Sequence, residues 1–165
     1  MGRAPAFAGA AWLLRRRRGR GALAAGLAVL FAAAAPAGAQ VVGFVVHGDA
    51  VEQPLAGLVG DAARGEAVVK NRESANCLIC HSIPDPREPF MGEIGPPLAG
   101  VGARLIPGQI RLRLVDPTRV NPDAIMPAYH RTHDLLRVDP RFAGRPVLTA
   151  QEIEDVVAWL STLRE

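Results

Sequence analysis

Aromatic residues are scarce in this chain: they are 5% of 165 residues, and after position 40 only Phe44, Phe90, Tyr129, Phe142 and Trp159 occur. So few large side chains make a thin core for a domain of this size, and something other than side chains is expected to help fill it. Acidic residues are missing from the first forty positions, where six of the 19 basic residues lie (Arg3, Arg15, Arg16, Arg17, Arg18 and Arg20). The remainder holds thirteen bases against all 16 acids, a balance of −3 that belies the formal +3 of the whole. A basic stripe for phosphate contacts is therefore absent from the part that folds, which excludes nucleic acid as a partner. Repeats and low-complexity runs are also absent after the leader. Glycine (17) and proline (14) are aperiodic, and 49% hydrophobic residues are too many for a disordered chain. Length allows one domain with appendages.

The arginine-rich start is followed by an uncharged stretch, Gly21 to Ala39, with an apolar segment from Leu23 to Ala35 and then Ala37-Gly38-Ala39. These are the three regions of a secretory signal peptide, so residues 1–39 are expected to be cleaved after Sec-type export. The apolar segment is short and mostly alanine against the ~20 residues a spanning helix needs, which makes a retained anchor the weaker reading. The mature protein is expected to run from Gln40 to Glu165 in a bacterial periplasm, with no membrane span after cleavage.

Residues 40–59 mix a β-branched run, Val41 to Val46, with turn residues and Pro54, and read as an extended arm strapped loosely over the surface. Asp61 is a plausible N-cap for a helix to about Asn71, although Gly65 inside it costs about 1 kcal/mol unless another element approaches there. Ile110 to Val115 alternates strictly, which by period alone says strand. A helix is the better expectation, because a ribbon of two strands is a poor basis for a domain and Pro107-Gly108 and Asp116-Pro117 make a helix entry and stop. Thr149 to Glu152 is a capping box, stapled by Leu148 and Ile153. Val156, Val157, Leu160 and Leu163 continue the apolar stripe of a final helix from Ala150 to about Leu163.

The only two cysteines lie in Cys77-Leu78-Ile79-Cys80-His81, the C-x-x-C-H attachment site of a c-type haem. Two thiols three residues apart on a helical turn match the two vinyl groups of one porphyrin, and the adjacent histidine reaches the iron from the same side. A structural disulfide, a zinc half-site and a thioredoxin-like pair compete. Zinc would want a second pair of ligands and a redox pair a βαβ context, and neither is present. Candidates for the second axial ligand are Met91, Met126, His47, His130 and His133. Met91 follows His81 by only ten residues, too close to cross the porphyrin plane; Met126 follows by 45, between Pro122 and Pro127 in a stiff loop. Met126 is the expected ligand, and each histidine reads as a solvated loop residue among polar neighbours. A His/Met pair raises the haem potential and suits accepting electrons rather than binding oxygen.

Over Gly60 to Leu163 these residues resemble a cytochrome c domain, which implies an all-α, class I-like fold over residues 60–165 with one covalent haem c. Gly95-Pro96-Pro97-Leu98 resembles the family's turn in which a proline carbonyl, here Pro96, accepts the Nδ1 proton of the proximal histidine, here His81. Gly65 and Trp159 match the family's close crossing of first and last helices. Four stretches narrow the resemblance to SoxX, the small monohaem subunit of the SoxAX cytochrome of thiosulfate oxidation: Gly60 to Gly65, Leu112 to Asp116, Asn121 to Tyr129 and Leu148 to Val157. That resemblance implies a heterodimer with SoxA, an L-cysteine S-thiosulfotransferase that attaches thiosulfate to a cysteine of the SoxYZ carrier, with electrons leaving through haem to a soluble cytochrome c.

Three functions therefore stand: a redox subunit of that transferase, a free-standing periplasmic electron carrier, and a haem sensor with an open coordination site. The sensor requires Met126 to be absent or labile. The segment from His130 to Pro146 is longer than a minimal cytochrome needs, which favours a subunit with a partner surface. Both cysteines are used by the porphyrin, so no thiol remains for catalysis and the chain is expected to carry no catalytic residue of its own.

Overall fold

The computed structural model describes residues 40–165; the expected signal peptide, residues 1–39, lies outside them. Four helices carry the architecture: α1 (Ala62–Lys70), α2 (Val101–Arg104), α3 (Pro107–Val115) and α4 (Ala150–Thr162). Short 3-10 turns occupy Leu55–Gly57, Cys77–Ile79, Pro117–Arg119 and Pro140–Phe142, and among the described residues there is no strand, only an isolated bridge between His47 and Ala50. The fold is all-α. Among the described residues no helix is long and apolar enough to cross a membrane.

Three of the four helices begin where a side chain or proline relieves the unpaired amides. Asp61 accepts from Arg64 N–H at 2.9 Å to start α1. Thr149 and Glu152 exchange bonds at the head of α4: Glu152 Oε2 accepts Thr149 N–H at 2.8 Å, and Thr149 Oγ1 accepts Glu152 N–H at 3.2 Å. In α3, Pro107 takes the first position and the Gln109 side chain accepts from Ile106 N–H at 3.1 Å.

Helix α4 is the hub, with α1, α2 and α3 all packed on it. A side chain at Gly65 would run into the Asp155 carbonyl and Trp159 Cβ, and one at Gly60 into the Glu154 carbonyl. Glycine is thus what lets the α1 backbone lie directly on α4, and the helix propensity lost at Gly65 is offset by that contact.

The helix expected over Ile110 to Val115 is found as α3. Its strand-like alternation arose because Arg111 counts as polar in the sequence yet is 3% exposed in the fold. Its guanidinium meets the equally buried Glu154 carboxylate in a two-pronged pair, Nε to Oε1 at 2.7 Å and Nη2 to Oε2 at 2.8 Å. One expectation is corrected: residues 40–59 are not loosely held. Val42, Phe44 and Val46 turn inward at period two against the core, and Val51 and Leu55 are 1% exposed. Main-chain groups of this strap complete the buried pair: Val51 O accepts from Arg111 Nη1 at 2.6 Å, and Leu55 N–H donates to Glu154 Oε1 at 2.9 Å. A buried ion pair holds only when its remaining donors and acceptors are satisfied, and the strap satisfies them.

Candidate haem site

The cysteine turn is built locally. Asn76 takes a left-handed conformation, which asparagine tolerates, and starts the 3-10 turn Cys77–Ile79. His81 N–H reaches back to Cys77 O at 3.0 Å, so Cys77, Cys80 and His81, spaced i, i+3 and i+4, share one face of the turn. The two sulfurs are free and not joined. Cys77 is 8% exposed, and burial pushes its thiol up to about 11. A sulfur in so apolar a place is suited to an uncharged thioether rather than to a zinc thiolate or a nucleophile. Among the described residues no group of three or more His, Cys, Asp and Glu side chains is placed to hold a metal ion.

The following loop is laid against this turn. Gly92 N–H donates to Leu78 O at 2.8 Å, Gly95 N–H to Cys80 O at 2.7 Å and Leu98 N–H to Ser82 O at 2.9 Å. A Cβ on Gly95 would collide with the His81 ring, and one on Gly92 with the Ile79 carbonyl, so both glycines are needed for the approach. The same loop brings Pro96 O to 2.8 Å from His81 Nδ1. A carbonyl can only accept, so Nδ1 carries the proton and Nε2 presents a bare lone pair, the state in which imidazole binds a metal.

The candidates for the other axial position differ in what occupies them. Met91 Sδ accepts the Ile83 N–H at 3.2 Å, which engages one of its two lone pairs and orients the sulfur toward the main chain of its own loop. Met126 is half-buried against the core, and among the described residues its sulfur takes part in no hydrogen bond. His47 and His133 are exposed. His130 corrects the expectation of a solvated loop residue: it is 0% exposed, with Nδ1 2.9 Å from Leu148 O and Nε2 3.0 Å from Val42 N. Its polar neighbours in sequence concealed this, although Arg131 beside it is itself largely buried and pairs with Asp116 at 3.1 Å.

Tyr129, a core aromatic that ends the Asn121 to Tyr129 stretch, also donates its hydroxyl to Ala75 O at 3.1 Å, two residues before Cys77. Burial raises its pKa, so it remains a donor at neutral pH. Tyr129 thus links the loop of Met126 to the turn of Cys77. The donor set fits a c-type haem: two cysteines on one face, a histidine with one nitrogen free, and an uncommitted thioether. Two grooves of about 480 and 370 Å³ lie along the strap and beside Ile83 to Arg87, and neither is lined by these donors.

No family model matches the chain, and no curated protein is detectably similar to it. Among solved structures, the chain is similar to one in the crystal structure of SoxXA from P. pantotrophus, at 35% identity over 74% of this chain and 95% of that one, with a TM-score of 0.68.

Proposed function

The chain belongs to the SoxX family of cytochromes, and on that premise we propose that it is the electron-transfer subunit of a periplasmic SoxAX-type L-cysteine S-thiosulfotransferase, working in a heterodimer with a SoxA-like subunit. The observation that carries this reading is the Cys77–Cys80–His81 turn with the Nδ1 proton of His81 directed at Pro96 O. Cys77 and Cys80 would hold one haem covalently, and His81 Nε2 and Met126 Sδ would bind its iron. When bound, haem supplies one-electron redox chemistry. Pro96 O keeps the His81 ring in one orientation and one tautomer and makes its free nitrogen a stronger donor. The apolar surroundings of Cys77 keep water from its sulfur, and the thioether of Met126 would favour the reduced state of a bound haem.

Joining the outer sulfur of thiosulfate to a carrier cysteine forms one S–S bond and releases the thiol proton and two electrons. The bond-forming thiol belongs to the SoxYZ-like carrier, and this chain has no third cysteine to offer. Its part is to take the electrons one at a time and pass them to a soluble cytochrome c. With SoxYZ-like carrier, thiosulfate and cytochrome c, the purified chain should show no turnover until the SoxA-like subunit is added. Turnover by this chain without a partner would overturn the subunit reading, and full activity of the partner without this chain would deny it the electron-accepting role.

A further inference from the structure

We infer that His130 is a positioning residue for the Met126 side of the iron site, and that the strap is its second support. This rests on the ligation by Met126 proposed above. A fully buried imidazole needs partners for both nitrogens, and here each partner can play only one role. Leu148 O accepts, so Nδ1 carries the hydrogen; Val42 N–H donates, so Nε2 is bare. One neutral tautomer satisfies both contacts. With both nitrogens engaged, His130 is not itself a ligand. It joins the loop four residues beyond Met126 to the entry of α4 and to a strap residue 88 positions away in sequence.

The residues on either side complete the anchorage. Tyr129 N–H donates to Leu114 O at 3.0 Å and Tyr129 O accepts from Leu148 N–H at 2.9 Å, while Arg131 Nη1 bonds Asp116 at 3.1 Å and the Thr118 hydroxyl at 3.1 Å. On the other side of Met126 the chain is held only by short-range bonds, Asn121 N–H on Pro117 O and Ala124 N–H on Asn121 O at 3.0 Å each, while Asn121, Pro122 and Asp123 are exposed and Ile125 is 80% exposed. The position of the Met126 sulfur is therefore set from the His130 side. Of these anchors, His130 alone draws on the strap, so the N-terminal segment becomes part of the iron site.

The test uses the exported full chain with haem attached. Val42→Pro removes the N–H that His130 Nε2 accepts, along with the packing of the Val42 side chain on the core, and His130→Phe keeps a ring but removes both bonds. In each, the long-wavelength sulfur-to-iron charge-transfer band of the oxidised protein should weaken. Carbon monoxide binding to the reduced protein should rise roughly tenfold in Val42→Pro, the scale of one lost buried hydrogen bond. His130→Gln, whose amide oxygen can still accept from Val42 N–H, should recover part of the band. A fall in Tm with band and carbon monoxide binding at wild-type values in both Val42→Pro and His130→Phe would mark a purely structural role and overturn the inference. Met126→Ala separates the premise: loss of the band there confirms the ligand, whereas retention overturns the ligand assignment and this inference with it.

Discussion

The two sides of the proposed haem site are held in opposite ways. The turn from Cys77 to His81 is fixed by neighbours in sequence, with His81 N–H on Cys77 O and the loop from Gly92 to Leu98 folded back on it. The loop of Met126 is held from afar: Tyr129 reaches Ala75, 54 positions away, and His130 reaches Val42, 88 away. A covalent attachment site can be specified by a short motif, because its geometry is that of one helical turn. A thioether ligand must instead be held by the tertiary structure, so its supports are scattered over strap, α3 and α4. Perturbing the cysteine turn should therefore affect attachment, and perturbing distant core pairs should affect ligation.

The largest effect is expected at the turn. Cys77→Ala or Cys80→Ala leaves at most one thioether, and the chain without haem should be poorly folded because the few aromatics do not fill the core. Circular dichroism of the chain made without haem checks this; a native-like helical spectrum would count against haem as core material. Next comes the scaffold behind the ligand loop. Glu154→Gln leaves the Arg111 guanidinium buried without its charge partner and should cost about 3–5 kcal/mol in chemical denaturation. A double change, Arg111→Met with Glu154→Leu, should recover much of that loss while haem stays attached throughout. Smaller again is Gly65→Ala, which forces a methyl against the Asp155 carbonyl and should cost roughly 1–3 kcal/mol.

How much of this was legible follows the same division. The Asp61 cap, the capping box at Thr149, the stripe of α4 and the Cys77–His81 motif are patterns spanning five residues or a few turns, and each could be read where it stands. The helical character of α3 was legible through its proline punctuation and the want of enough strands to make a sheet. Its alternation misled, because nothing in the sequence marks Arg111 as the partner of a glutamate 43 positions on. The buried state of His130 was hidden because both of its partners are main-chain groups, which every residue has and no motif announces. A strict period of two in Val42, Phe44 and Val46, in a chain without a sheet, was the available sign that the strap had an inner face.

The smallest predicted effect concerns acid. Burial acts to raise the pKa of Asp155, and against it the Arg64 guanidinium, Asp61 N–H and the Gln151 amide hold the carboxyl below its usual range. A lowered folded pKa adds stability that is present above the unfolded value, ~3.9, and lost as pH falls through the folded one. Asp155→Asn should therefore flatten the acid limb of the stability profile below about pH 4. An unchanged limb would show that the α1–α4 crossing does not depend on this carboxylate.

The most direct measurement is the intact mass of the exported wild-type chain after acid-acetone extraction. One haem retained on the protein, with neither Cys77 nor Cys80 open to thiol alkylation, is the expected result. Release of the haem, with two alkylatable cysteines left behind, would contradict covalent attachment at the turn from which the functional reading starts.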